Sequence, residues 1–109
     1  MATETFDFDA AELLDSPEAQ AAYLSEIMAD GDAGMVAEAL GTIARARGMT
    51  AVARDAGMSR ESLYRALSGK GKPEFATIMK VMRAMELSMA VGVANDHTHE
   101  DLAKEPARA

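Results

Sequence analysis

Cysteine is missing from the whole chain, so neither a disulfide framework nor a thiolate zinc site can be built, and nothing asks for an oxidising compartment. Long apolar runs are missing too. No stretch approaches the ~20 residues that span a bilayer, and the opening MATETFDFDAAELL has acids where a secretory leader needs cations. The expected compartment is therefore the cytoplasm, with no membrane association. Lysine and arginine are absent from residues 1–41 altogether. With 109 residues there is room for one modest core and not for two.

The formal net charge of −7 argues against a nucleic-acid partner until its distribution is followed along the chain. Residues 1–41 hold ten acids and no base, for a net −10. Residues 42–83 hold nine Lys and Arg against three acids, a basic island of +6. Residues 84–109 hold two bases against five acids, for −3. One chain thus carries two fields of opposite sign, which points to two different partners.

Start and stop chemistry divides the chain into helices. Asp9 is a candidate N-cap for a short helix from Ala10, with Glu12 three residues on. Ser16-Pro17-Glu18 opens a helix whose apolar stripe is Ala22, Tyr23, Ile27 and Met28. Asp30-Gly31-Asp32 closes it and opens another, in which Met35, Val36, Ala39, Leu40, Ile43 and Ala44 recur at helical spacing up to Gly48. Thr50, Ser59 and Pro73-Glu74 then start helices over residues 50–56, 59–67 and 74–85. Phe75, Ile78, Met79, Met82 and Met85 form a stripe directed at the core. Alternation over residues 87–93 suggests a short strand suited to dimerisation. The expected architecture is an all-α bundle of about five helices: an acidic helical leader over 1–33, a binding domain over 34–93 and a disordered polar tail over 94–109.

The segment TAVARDAGMSRESLYRAL, residues 50–67, has the sterics of a helix-turn-helix. Two helices that cross closely need a small residue at the crossing, and Ala53 supplies it. Four residues later the chain must turn through a left-handed conformation, which costs roughly 1 kcal/mol or more for most side chains and little for glycine; Gly57 stands there. Met58 then plugs the core, Ser59 caps the second helix, and Leu63 with Leu67 buries its inner face. The outer face is Arg60, Glu61, Ser62, Tyr64 and Arg65, the side-chain chemistry that reads base edges in a DNA groove. Thr50, Ser59, Ser68, Lys70 and Lys72 are candidates for phosphate contacts, which position a protein on DNA without specifying sequence.

The stretches ALGTIARARGMT (39–50), VARDAGMSRESLYRALSG (52–69) and PEFATIMKVMRAM (73–85) closely resemble the probable addiction-module antidote proteins. These are HigA-like helix-turn-helix antitoxins of the lambda-repressor (XRE) superfamily. FDAAELLD (8–15), PEA (17–19) and AYL (22–24) resemble the acidic leader of the same family, so the likeness spans about residues 6–93. It implies an antitoxin of a type II toxin-antitoxin module. Such a protein binds its own operator, usually as a homodimer, and neutralises a RelE- or HigB-like toxin through a separate surface. The sequence departs from the wider superfamily at Met49, where a glutamine often begins the first helix and touches a phosphate. Thr50 is the nearest hydroxyl able to replace it.

Plainer readings exist for several of these residues. Glu61 and Arg65 also form an ordinary i,i+4 pair worth a few tenths of a kcal/mol, and Tyr64 can pack against the domain instead of touching DNA. The leader can be a solubilising surface instead of a ligand for a basic toxin. Without a toxin partner the chain is a stand-alone transcriptional repressor. His97 and His99 have no preorganised third ligand, so no metal is expected. No acid/base pair, nucleophile triad or phosphate loop is present, so neither catalysis nor a cofactor is expected.

Overall fold

The computed structural model describes residues 13–94. The helix expected from Ala10, and His97 and His99 with most of the expected polar tail, lie outside that range. Among the described residues there are five helices and no strand: α1 (Pro17–Asp30), α2 (Ala33–Arg47), α3 (Met49–Ala56), α4 (Arg60–Ala66) and α5 (Phe75–Ala84). The all-α class is therefore established.

Local chemistry sets most helix ends. Ser16 accepts the Ala19 N–H at 3.1 Å, and Pro17 follows at the first helical position. Asp32 accepts the N–H groups of Gly34 (2.9 Å) and Met35 (3.3 Å) and so opens α2 directly after Gly31 has closed α1. One start differs from expectation. α3 begins at Met49 behind Gly48, with no side-chain cap, and not at a Thr50 cap. The Thr50 hydroxyl is thereby left for another partner.

Leu40, Ile43, Leu63, Val81 and Met85 are the large, fully buried side chains, so α2, α4 and α5 meet in one core. α1 joins it through Leu24 and through Gln20, which is only 5% exposed. A buried amide needs its hydrogen bonds made. Gln20 Nε2 donates to the Leu14 carbonyl at 3.0 Å, and its Oε1 accepts from Arg47 Nε at 2.8 Å. This one side chain ties the segment before α1 to the end of α2. α4 approaches α2 at Gly41, where an added Cβ would lie 3.1 Å from the Leu67 carbonyl oxygen. A larger side chain there would push the end of α4 outward.

Two apolar expectations need correction. On α5, Met82 and Met85 are buried and Ile78 and Met79 half-buried, but Phe75 is 66% exposed. It is the first residue of α5 and lines an open cleft of about 740 Å³ with Met28, Val36 and Met89 instead of entering the core. Met35 is likewise exposed, in the first turn of α2. The strand expected over residues 87–93 is not formed either, and among the described residues no second strand lies alongside to pair with. Val91 and Val93 are exposed.

α5 closes in an unusual way. Glu86 has φ 60°, the one positive value outside glycine among the described residues, where the chain folds back with Leu87 N–H on the Met82 carbonyl (2.9 Å) and Glu86 N–H on that of Arg83 (3.0 Å). This left-handed closure is normally a glycine site. Glu86→Gly should therefore raise stability by about 1 kcal/mol, relief of the side-chain strain exceeding the added entropy of the unfolded chain. Urea unfolding checks it through a higher midpoint at unchanged slope; a lowered midpoint would show that Glu86 is not strained.

Candidate nucleic-acid interface

The α3–α4 pair is built around one turn. Gly57 adopts φ 71°, ψ 32°, its N–H bonds the Arg54 carbonyl (3.1 Å), and the Met58 N–H reaches back to the Ala53 carbonyl (2.9 Å). These paired bonds satisfy carbonyls that the end of α3 would otherwise leave open, and they aim the chain back across the helix. Ala53 is buried at 3% exposure and Met58 is half-buried against the core.

α4 then starts on Ser59, whose Oγ accepts the Ser62 N–H at 3.0 Å. The same hydroxyl donates to Ser62 Oγ at 2.9 Å, so Ser59 is occupied by capping while Ser62 keeps its own proton for an outside acceptor. Leu63 is fully buried and Leu67, just past the helix, is 5% exposed. Arg60, Glu61, Tyr64 and Arg65 are all exposed on the other side. A seven-residue helix thus separates a leucine side from an arginine side.

The two arginines are held differently. Arg60 Nη1 donates to Thr50 Oγ1 at 3.2 Å, its Nη2 donates to the Tyr64 hydroxyl at 3.4 Å, and its Cζ lies 5.6 Å from the Tyr64 ring centre. Arg65 meets Glu61 at 3.7 Å, with both side chains mostly in solvent, an arrangement that contributes little to stability.

The candidate residues do not all share one surface. Thr50, Arg60 and Tyr64 line a depression of about 550 Å³ at the junction of α2, α3 and α4, together with Arg45 and Arg54. Lys70 and Lys72 line the apolar cleft near the start of α2 instead. Ser68, between the two, accepts the Lys70 N–H on its hydroxyl at 3.2 Å. Sequence reasoning did not single out Arg45 and Arg54. Their membership of the basic island was visible, but not their convergence with Arg60, which depends on how α2 meets α3. Arg54 is paired with Asp55 at 3.3 Å. Among the described residues no group of His, Cys, Asp or Glu could hold a metal ion, and no helix is long and apolar enough to cross a membrane.

Residues 4–93 match the family model described as "Probable addiction module antidote protein". The chain belongs to this family. It is also similar to a protein of Haemophilus influenzae (strain ATCC 51907 / DSM 11121 / KW20 / Rd) described as uncharacterized, at 53% identity over 91 residues, 84% of this chain and 94% of that one. No solved structure matches. An antidote implies a toxin as partner, and the family points to a regulatory binding protein in preference to an enzyme. Among the antidote's described helices, α1 is the acidic one: it holds Glu18, Glu26 and Asp30, all exposed, and no basic residue.

Proposed function

We propose that this antidote is a cytoplasmic antitoxin of a type II toxin-antitoxin module that represses its own operator and neutralises a basic, RelE- or HigB-like toxin. In this reading α3 and α4 are a lambda-repressor-like helix-turn-helix, and α4 enters the major groove of double-stranded DNA with Arg60, Arg65, Glu61 and Ser62 toward the bases. Ser68, Lys70 and Lys72, in the loop that follows α4, are the phosphate contacts of this reading. The observation that carries the reading is the division of α4 into a buried Leu63 side and an exposed arginine side directly after the Gly57 turn. A homodimer accounts for recognition of two half-sites, and the exposed Val91 and Val93 offer apolar surface for a self-contact.

A gel shift on the DNA upstream of its own gene tests the operator half, with an unrelated duplex as control. Tighter binding to the upstream DNA is expected; equal binding to both would remove the operator.

The toxin half rests on charge. RNA-gripping toxins are basic, and a leader with nine acids and no base over residues 1–33 would steer such a protein into contact. The triple substitution Glu18→Lys, Glu26→Lys and Asp30→Lys should slow association with the basic product of the adjoining reading frame by roughly 10- to 100-fold at low salt, with operator affinity not reduced. Wild-type association should itself slow as salt rises. Stopped-flow or surface-based kinetics reads both. A reversed leader that captures toxin at the native rate would leave the α1 acids as a solubilising face, and no complex at all would leave a stand-alone repressor.

A further inference from the structure

The bonds of Arg60 join residues that the turn at Gly57 separates. Thr50 belongs to the first turn of α3, and Arg60 and Tyr64 lie one turn apart on α4. The guanidinium bridges both helices through two hydrogen bonds and lies 5.6 Å from the centre of an aromatic ring. All three residues are exposed, so these bonds bury little and are not a core requirement. What they do is restrict one long side chain. Only two of its N–H donors are engaged inside the protein, and the remainder can still fork onto one base edge.

Resting on the operator reading above, we infer that Thr50 and Tyr64 are positioning residues: they hold the Arg60 guanidinium in a base-reading pose before DNA arrives, and they are not themselves the readers. An unrestrained arginine loses rotamer freedom when it binds, and a side chain already held loses less. The Thr50 hydroxyl is available for this because Gly48, and not Thr50, stands at the start of α3. Tyr64 contributes its ring as well as its hydroxyl, since a cation is attracted to an aromatic face. Arg65 is the internal contrast. It pairs with the exposed Glu61 carboxylate on its own helix, an interaction that joins no second element.

Specific and general DNA affinity should respond differently to the loss of this clamp. In the full-length protein, Thr50→Val and Tyr64→Leu should each weaken binding to the operator by roughly three- to tenfold and leave binding to an unrelated duplex unchanged. In an Arg60→Ala background neither substitution should have any further effect, because the group they position is gone. Fluorescence anisotropy over a salt series reads all of this. If either variant weakens both duplexes equally and flattens the salt dependence, the residue is a phosphate contact and the inference falls. It falls too if the weakening persists without Arg60.

A DNA-free measurement keeps the clamp distinct from the operator reading. Nitrogen relaxation at the arginine Nε should show Arg60 more restrained than Arg65 in the wild type and equally mobile in Thr50→Val/Tyr64→Leu. Equal mobility already in the wild type overturns the clamp. A restrained Arg60 in a protein that shows no preference for its operator overturns the base-reading role while the clamp itself survives. Circular dichroism checks that each variant is folded.

Discussion

Replacing Arg60 and Arg65 together with alanine should weaken operator binding by about 1 to 3 kcal/mol for each bidentate arginine–base pairing removed, roughly 5- to 150-fold per arginine, with the unfolding midpoint nearly unchanged. The asymmetry between the two effects is what makes the result informative. Both side chains are exposed, and the bonds given up within the protein are those of Arg60 to Thr50 and Tyr64 and a solvent-exposed pair with Glu61. Exposed interactions of this kind contribute about 0.2 to 1 kcal/mol each. Single substitutions then divide the work. At about 100° per residue Arg60 shares a stripe with Tyr64 and faces α3, whereas Arg65 shares the neighbouring stripe with Glu61. Equal weakening from either substitution would mean that both stripes lie in the groove. An effect confined to Arg60 would leave Arg65 as a helix-pair partner, and native affinity in the double variant would remove α4 as the reading helix.

What the amino-acid order made legible was chemistry that acts over a few residues. The caps at Ser16, Asp32 and Ser59, and the left-handed closures at Gly31 and Gly57, are local hydrogen-bond solutions, and the structure contains each of them. What stayed hidden depends on neighbours distant in sequence. Nothing in the local sequence marks Gln20 as buried; its burial depends on Leu14 and Arg47 on either side of it. Phe75 reads as core because it fits the α5 stripe, yet it stands at the helix end that overhangs a cleft. Residues 87–93 alternate like a strand, but alternation gives a face and not a pairing partner. The same limit applies to the candidate site. The basic island could be counted in the sequence, but not the division of its cations between the Arg60 depression and the Lys70–Lys72 cleft. The Arg60–Thr50 bond joins residues ten apart across a turn, and no helical periodicity anticipates such a pair.

Leu63→Ala should be the most damaging single change to the fold that also weakens operator binding. Leu63 is fully buried at the point where α4 meets the core, and truncating such a side chain costs about 2 to 5 kcal/mol, a large share of the ~5 to 15 kcal/mol that holds a small domain together. The effect should concentrate on α4. A helix of seven residues is too short to persist in water by itself, so what keeps it formed is the Ser59 cap at one end and the burial of Leu63 and Leu67 along its inner side. Amide exchange over residues 60–66 should therefore accelerate more than exchange in α2, and the urea midpoint should fall. Operator affinity should fall with them, because a melted segment must be ordered again before its arginines can bind, and that ordering opposes association. Set beside Arg60→Ala/Arg65→Ala, this variant separates presentation of the arginines from the arginines themselves: both variants bind DNA poorly, but only one is unstable. If Leu63→Ala kept the native midpoint together with native operator affinity, α4 would not be held through its leucine side, and exposure of its arginines would have to arise in some other way.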